Sequence, residues 1–349
     1  MKIFFILNDS VPYGSLLDNY FDGKGFTKLT QISNCFTTTS VVSLLTGKMP
    51  SDLVPGGIAY HTHYRYKTDG IIDYPWKHRL LLKKLYDKGW IVYINNASWF
   101  YLTICADNYI CKSTSLDCGL HKADEFKATK EFTKILLTNT TENNAFYSRN
   151  KRYIQAAQKD VDVNEFYFIK NLQYHQALAT GESLKVAIER IKLNLDYIDF
   201  DAPDSIFYIF SDHDNFLEID KLCRPPNCLT TGFIKDNTRK TFNEFPYINI
   251  SDMFNYILTK KLPAENRNRI YFAEDARVHI DPENSTTAVA CKFIDWDNGM
   301  ARKLLQVSYF RPENKYYGFI YDLMFEKLIE CPVDTALKQE LKERFEWVK

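Results

Sequence analysis

The chain has 349 residues, and Lys+Arg and Asp+Glu balance at 44 each, so its formal charge is zero. That balance argues against a nucleic-acid or polyanion binder, which draws its partner with a basic surplus, and no apolar run approaches the ~20 residues that span a bilayer. The length suffices for one large α/β domain, or a large and a small one, around an ample core.

The N-terminal segment MKIFFILNDS carries one lysine and a short apolar run that breaks at Asn8-Asp9. A secretory signal would have a longer apolar region and a small-residue cleavage site, so residues 2–8 read as a first strand and a cytoplasmic location is expected. The eight cysteines include no C-x-x-C pair and no zinc-finger spacing. Most are expected as buried free thiols, with local pairing among Cys105, Cys111 and Cys118, or Cys223 and Cys228, reserved for an exported chain. The glycosylation sequons at Asn96, Asn139, Asn249 and Asn284 have no meaning without secretion.

Next comes NCFTTTSVVSLLTGKMP, residues 34–50, whose helix spans 38–46 and is closed by Gly47 and Pro50. Its leading hydroxyls suit a helix cap, or a nucleophile held where the helix dipole favours negative charge. The loop GGIAYHTHYRY, with His61 and His63, reads as exposed. Residues 77–88 form a helix ended by Gly89, WIVYIN (90–95) a strand, and 122–163 a charged surface excursion. EFYFIKNLQ (165–173) and SIFYIFS (205–211) are strands flanking a helix over 183–198.

Strands alternating with helices predict an α/β fold: a mostly parallel central sheet with helices on both faces. In such sheets ligands gather at the carboxyl ends of the strands. Three of these ends are polar: Asn8-Asp9-Ser10, Asn95-Asn96 and Ser211-Asp212-His213-Asp214. After about residue 262 come strands without intervening helices, RIYFAEDARVHI, TTAVACKFIDW, KLLQVSYF and KYYGFIYDL, then the helix TALKQELKERFEWV. The expected division is a catalytic α/β domain over 1–262 and a small antiparallel subdomain over 263–349.

Asp212-His213 is a carboxylate–imidazole pair of the kind that binds zinc or manganese. Alone, that pair or Asp9 reads as a polar turn. Together, an acid after strand one, hydroxyls at a helix start and an Asp-His pair after a late strand supply a metal, a nucleophile and its activation.

At this point the chain resembles the alkaline phosphatase/sulfatase superfamily, over most of its length. NDSVPYGSLLDNY provides the acid and serine of that family's first metal motif, with Pro12 where arginine is common. Counting back from Leu44-Leu45-Thr46-Gly47 in the sulfatase motif places Thr37 at the nucleophile and Ser40 at the motif serine. The register of the phosphoethanolamine transferases, T-x-x-S-x-P, selects the same two residues. Ser211-Asp212-His213-Asp214 matches the later S-D-H-G element, with aspartate for glycine. FPYINISDMFNYIL (245–258), KYYGFIYDLMFEKLIECP and residues 77–100 follow in the family's order.

The resemblance implies an enzyme acting on phosphate esters through a covalent Thr37 intermediate, since threonine cannot yield the formylglycine of sulfatases. The metal ligands it implies are Asp9, Thr37, Asp212 and His213, holding one Zn²⁺ or Mn²⁺, with Ca²⁺ or Mg²⁺ as alternatives. His175 fits the histidine of the two-zinc D-x-x-x-H element, but Asn171 replaces its aspartate; His175 is therefore expected at the substrate oxyanion or leaving oxygen. Lys48 and Asn96 are expected phosphate contacts beside Ser40, and His279 reads as ordinary surface or a late ligand. The implied substrates are small-molecule, lipid-headgroup or glycan phosphoesters. A sulfuric ester hydrolase and a non-catalytic binder of a charged glycan or headgroup are the alternatives.

Overall fold

The computed structural model describes residues 1–35, 37–53, 81, 84–85, 88, 90–95, 110–111, 118–121, 164–171, 173–196, 198–213, 228–240, 242, 245–276 and 285–349. Among the described residues nine strands build the large sheet: β1 (Lys2–Asn8), β2 (Thr27–Ile32), β3 (Ile91–Asn95), β4 (Ile110–Cys111), β5 (Cys118–His121), β6 (Glu165–Asn171), β7 (Ser205–Phe210), β8 (Leu229–Asp236) and β9 (Tyr247–Asn249). Their order is β4-β5-β3-β6-β1-β7-β8-β2-β9. The centre, β3-β6-β1-β7, is parallel, and only β5 and β8 run against the rest. The expected α/β architecture with a mostly parallel sheet is therefore what the chain adopts.

The apolar runs of the central strands explain this placement. Every residue of β1, β6 and β7 is buried, as a strand covered on both faces requires. Ile3, Phe5 and Leu7 of β1 point to one face, where α1 (Thr37–Thr46) supplies Val41, Val42, Leu44 and Leu45 and α5 (Asp252–Thr259) supplies Met253, Phe254 and Ile257. Leu81 and Leu85, in the helix expected over 77–88, join this core. Phe4 and Ile6 point to the other face, against α3 (Gln173–Thr180) and α4 (Leu184–Leu195). Each such side chain contributes about 1.5–3 kcal/mol of burial, so the two-sided core is the main stabilising feature of the site's scaffold.

Two expectations are corrected here. The strand expected over 165–173 stops at Asn171, because its partner β1 ends at Asn8, which pairs with Asn171; Gln173 then begins the unanticipated helix α3. Strands β2 and β8 were not anticipated either, since TKLTQI and LTTGFIKD carry too many polar residues to read as buried runs.

A second sheet, β10 (Tyr271–Ala276), β11 (Ser285–Asp297), β12 (Met300–Phe310), β13 (Lys315–Asp322) and β14 (Lys327–Cys331), is antiparallel throughout. One of its faces shares a core with the large sheet, where Ile32, Leu229 and Tyr247 meet Val289, Phe293 and Leu304. The other face packs Ala290 and Val307 against Leu337 and Leu341 of α6 (Thr335–Arg344). That helix is capped by Asp334, whose carboxylate accepts the Leu337 N–H at 2.9 Å. The short helix α2 (Pro50–Leu53) follows α1. The 122–163 segment, Asn96, His61, His63, Asp214 and His279 lie outside the described residues.

Candidate metal and catalytic centre

β1, β6 and β7 end together, with Leu7 opposite both Lys170 and Phe210. Asp9, Ser211 to His213, and the Lys170–His175 segment therefore leave the same edge of the sheet. Ser10 turns the chain sharply there with φ 64°, a left-handed conformation uncommon outside glycine and typical of sites held by their surroundings. Its backbone N–H donates to Asp212 Oδ1 at 3.1 Å, which ties the end of β1 to the end of β7.

Asp9, Asp212 and His213 are all buried, and one donor atom from each lies within 4.8 Å of the others. His213 Nε2 is 3.6 Å from Asp9 Oδ1 and 3.7 Å from Asp212 Oδ2. Ligands at arm lengths of about 2.1 Å around a tetrahedral ion stand about 3.4 Å apart. The donor set, its burial and its spacing therefore fit a divalent cation with nitrogen and oxygen ligands.

The pair after β7 is braced from behind. Ser40 Oγ donates to the Asp212 carbonyl at 2.6 Å and lies 3.0 Å from Asn34 O. Asn34 Nδ2 in turn donates to Thr39 O at 2.9 Å and Ser43 Oγ at 2.8 Å. These bonds press the first turn of α1 against the Asp212-His213 segment. Thr37 is the first residue of that helix, so the bonds made by Ser40, Asn34 and Ser43 hold the backbone start of α1 beside this segment. A buried amide network also holds Ser211: Gln31 Nε2 donates to Ser211 O at 3.0 Å and to Thr230 Oγ1 at 2.9 Å, while the Tyr208 hydroxyl donates to Gln31 Oε1.

Around Asp9 the electrostatics are concentrated. Lys170 Nζ sits 2.7 Å from Asp9 Oδ2, with both side chains buried. Ser10 Oγ donates to Asp9 Oδ1 at 2.8 Å and lies 3.1 Å from His175 Nδ1; His175 Nδ1 is 3.3 Å from the same Oδ1. Burial works to raise the Asp9 pKa, but the Lys170 charge, the His175 hydrogen bond and the His213 charge outweigh it and hold the carboxyl well below its usual range. The hydrogen bond that His175 donates to Asp9 raises the His175 pKa, against partial desolvation. A serine hydroxyl has one proton to give. With that proton on Asp9, His175 donates from Nδ1 into the cluster and keeps Nε2 for exchange with a substrate. The imidazole is 53% exposed whereas Asp9 is 2% exposed, which places the histidine at the mouth and the acid at the floor.

The structure thus gathers Asp9, Ser40, His175, Asp212 and His213 at one edge, with Thr37 heading the adjoining helix. It does not bring Lys48 there. Lys48 follows the far end of α1, about 15 Å along the helix from Thr37, and is exposed. Two contributions went unread in the sequence, the presence of Lys170 and the role of Ser10. Lys170 was detectable as a charge inside an apolar strand, a rare position unless paired. Ser10 was read as part of a motif, but its hydroxyl contact with His175 depends on the backbone turn.

No protein-family model matches the chain, and no curated protein matches it. Solved structures do. A protein in the alkaline phosphatase superfamily from Vibrio parahaemolyticus superposes with a TM-score of 0.53 at 13% identity, covering 100% of this chain and 88% of that one. The lipoteichoic acid synthase LtaP from Listeria monocytogenes superposes with a TM-score of 0.51 at 10% identity, covering 99% and 90%. At such identities the likeness is one of fold, and the chain has the fold of the alkaline phosphatase superfamily.

Proposed function

We propose that the chain is a metal-dependent phosphoester hydrolase or phosphotransferase working through a covalent intermediate on Thr37. The observation that carries this reading is the buried Asp9–Asp212–His213 donor cluster, with the first turn of α1 tied to the same Asp212 by Ser40. Superposition with LtaP, a lipoteichoic acid synthase, supports a phosphate-handling chemistry over a sulfate one, as does threonine at position 37.

Asp9, Asp212, His213 and the Thr37 hydroxyl would hold one Zn²⁺ or Mn²⁺, which lowers the pKa of a hydroxyl and neutralises phosphoryl charge. Thr37 Oγ, its proton released to solvent when the hydroxyl ionises, would attack phosphorus, forming the Thr37 O–P bond as the bond to the substrate alcohol breaks. His175, held by Asp9 and Ser10 through Nδ1, gives the proton from Nε2 to the departing alcohol oxygen. Water or an acceptor alcohol then attacks the phosphothreonine, His175 takes its proton, and Thr37 is regenerated. Ser40 keeps the helix start docked on the Asp212 carbonyl. The substrate class is a small-molecule, lipid-headgroup or glycan phosphoester. Among the described residues no helix is long and apolar enough to cross a membrane, and the buried thiols of Cys35, Cys228 and Cys291 suit a reducing cytoplasm.

The test pairs metal analysis of the purified protein with nitrophenyl phosphate, phosphodiester and sulfate substrates on wild type and Thr37→Ala. About one equivalent of Zn or Mn, with phosphoester turnover abolished by Thr37→Ala, is the expected result. Sulfate turnover would assign the chain to sulfuric ester hydrolysis instead. Absence of turnover on every ester would make it a binder of charged headgroups or glycans.

A further inference from the structure

The contact between Lys170 and Asp9 is a third charge at the centre that the phosphoester chemistry does not call upon. Lys170 lies on β6 one residue before its end, and its ammonium approaches Asp9 Oδ2 at 2.7 Å in a buried pocket. Asp9 Oδ1, by contrast, faces His213 Nε2 at 3.6 Å, on the side of Asp212. The two oxygens of one carboxylate are thus divided between an ammonium on one side and the donor cluster on the other. Next along the strand, Asn171 Nδ2 donates to Asn8 Oδ1 at 2.9 Å, and its Oδ1 accepts from Asn194 at 3.2 Å. The amide that follows Lys170 is thereby committed to bracing the strand ends.

We propose that Lys170 serves as a resident cation of the centre, closing Asp9 Oδ2 to metal and limiting the site to a single divalent ion that Asp9 Oδ1, Asp212, His213 and the Thr37 hydroxyl would hold. This rests on the metal reading above. The charges support it. Asp9 and Asp212 contribute two negative charges, while Lys170, the protonated His175 and a divalent ion contribute four positive ones, so the loaded centre carries two net positive charges before Thr37 ionises. That surplus suits a phosphoester anion. A second divalent ion at Oδ2 would stand against a buried ammonium, where the low dielectric strengthens the repulsion. In the metal-free protein the same ammonium keeps the buried Asp9 carboxylate from being left uncompensated. Lys170 is a positioning residue on this account, since it acts on substrate through Asp9 and the ion.

The experiment titrates metal-free full-length protein with Zn²⁺ and with Mn²⁺ by calorimetry, following thermal unfolding alongside. Wild type is expected to bind one equivalent and to refuse a second at high excess. Lys170→Gln keeps a hydrogen-bond donor for Asp9 but removes the charge. It is expected to bind the first ion about tenfold or more tightly, to accept a second and weaker equivalent, and to gain more in Tm from metal than wild type does. Lys170→Arg, which keeps the charge, should reproduce the wild-type stoichiometry, and it carries the test if Lys170→Gln does not fold. A lysine whose charge is not felt at the ion would leave metal affinity unchanged when replaced, and one that only holds the fold would weaken it. One equivalent in wild type with unchanged or weaker binding in Lys170→Gln, or a second equivalent in Lys170→Arg, overturns the role of Lys170 and leaves the metal site standing. No binding by wild type overturns the metal reading itself.

Discussion

His175 illustrates how one residue's surroundings set its chemistry. The hydrogen bond it makes to Asp9 raises its pKa above the ordinary 6.5, which extends the imidazolium form to higher pH than a free imidazole keeps and favours its use as a general acid. The expected pH–rate profile therefore falls as pH rises through the elevated His175 pKa, and His175→Gln should lose that descending limb. The same variant should lose more on substrates with poor leaving groups, by about 10²–10⁴-fold on an alkyl phosphate and far less on nitrophenyl phosphate, whose alcohol departs without a proton. Equal losses on both would remove His175 from the acid role. Ser40 offers a stability counterpart. Its hydroxyl supplies a hydrogen bond to the buried Asp212 carbonyl, so Ser40→Ala should cost about 1–3 kcal/mol, read by urea unfolding, and should weaken metal binding by loosening the Asp212-His213 segment.

Between elements, the start of α1 is secured by the second sheet. The Cys35 N–H donates to Glu274 O at 3.3 Å, and the Glu274 N–H donates to Asn34 Oδ1 at 3.0 Å, so β10 clamps the loop that leads into Thr37. The Glu274 side chain accepts the Ser51 N–H at 2.7 Å, reaching α2 as well. Full burial raises its carboxyl to about 7 despite that hydrogen bond and the nearby Arg344 charge. A carboxyl raised from 4.5 when folded imposes no cost below 4.5, a growing cost between 4.5 and 7, and a full cost above 7, of up to about 3 kcal/mol. Glu274→Gln, which keeps the acceptor for Ser51, should be more stable than wild type above pH 7 and indistinguishable from it near pH 4. Denaturant unfolding at several pH values checks both arms. None of this could be read from RIYFAEDA. The strands β1, β6 and β7 were legible because their runs are apolar on both faces, and Asp9, Asp212 and His213 were legible because they stand just past such runs. β2 and β8 were not, because Gln31 and Thr230 are buried in a hydrogen-bonded network rather than by their own apolarity. The Lys170–Asp9 pair needs the β1–β6 register, which no local pattern specifies.

Across the whole molecule, the two sheets share one core and one site. Ile32, Leu229 and Tyr247 of the large sheet are buried against Val289, Phe293 and Leu304 of the small one, and the ring of Tyr247 lies 4.6 Å from that of Phe293. Tyr247 also accepts the Ala301 N–H through its hydroxyl at 2.6 Å. Removing the small sheet would bare these apolar side chains as one patch and release the Asn34–Cys35 loop from β10. A fragment of residues 1–262 is therefore expected to aggregate rather than fold, even though the pattern of its strands and helices is that of a complete α/β domain. By the same reasoning the full chain should unfold in a single calorimetric transition, and Phe293→Ala should lower its stability by about 3–5 kcal/mol without splitting it in two. It should also reduce metal affinity, because β10 lies between that core and the start of α1. A monodisperse, metal-binding 1–262 fragment, or two resolved transitions in the full chain, would show instead that the small sheet is an appendage whose contacts with the nucleophile loop are dispensable.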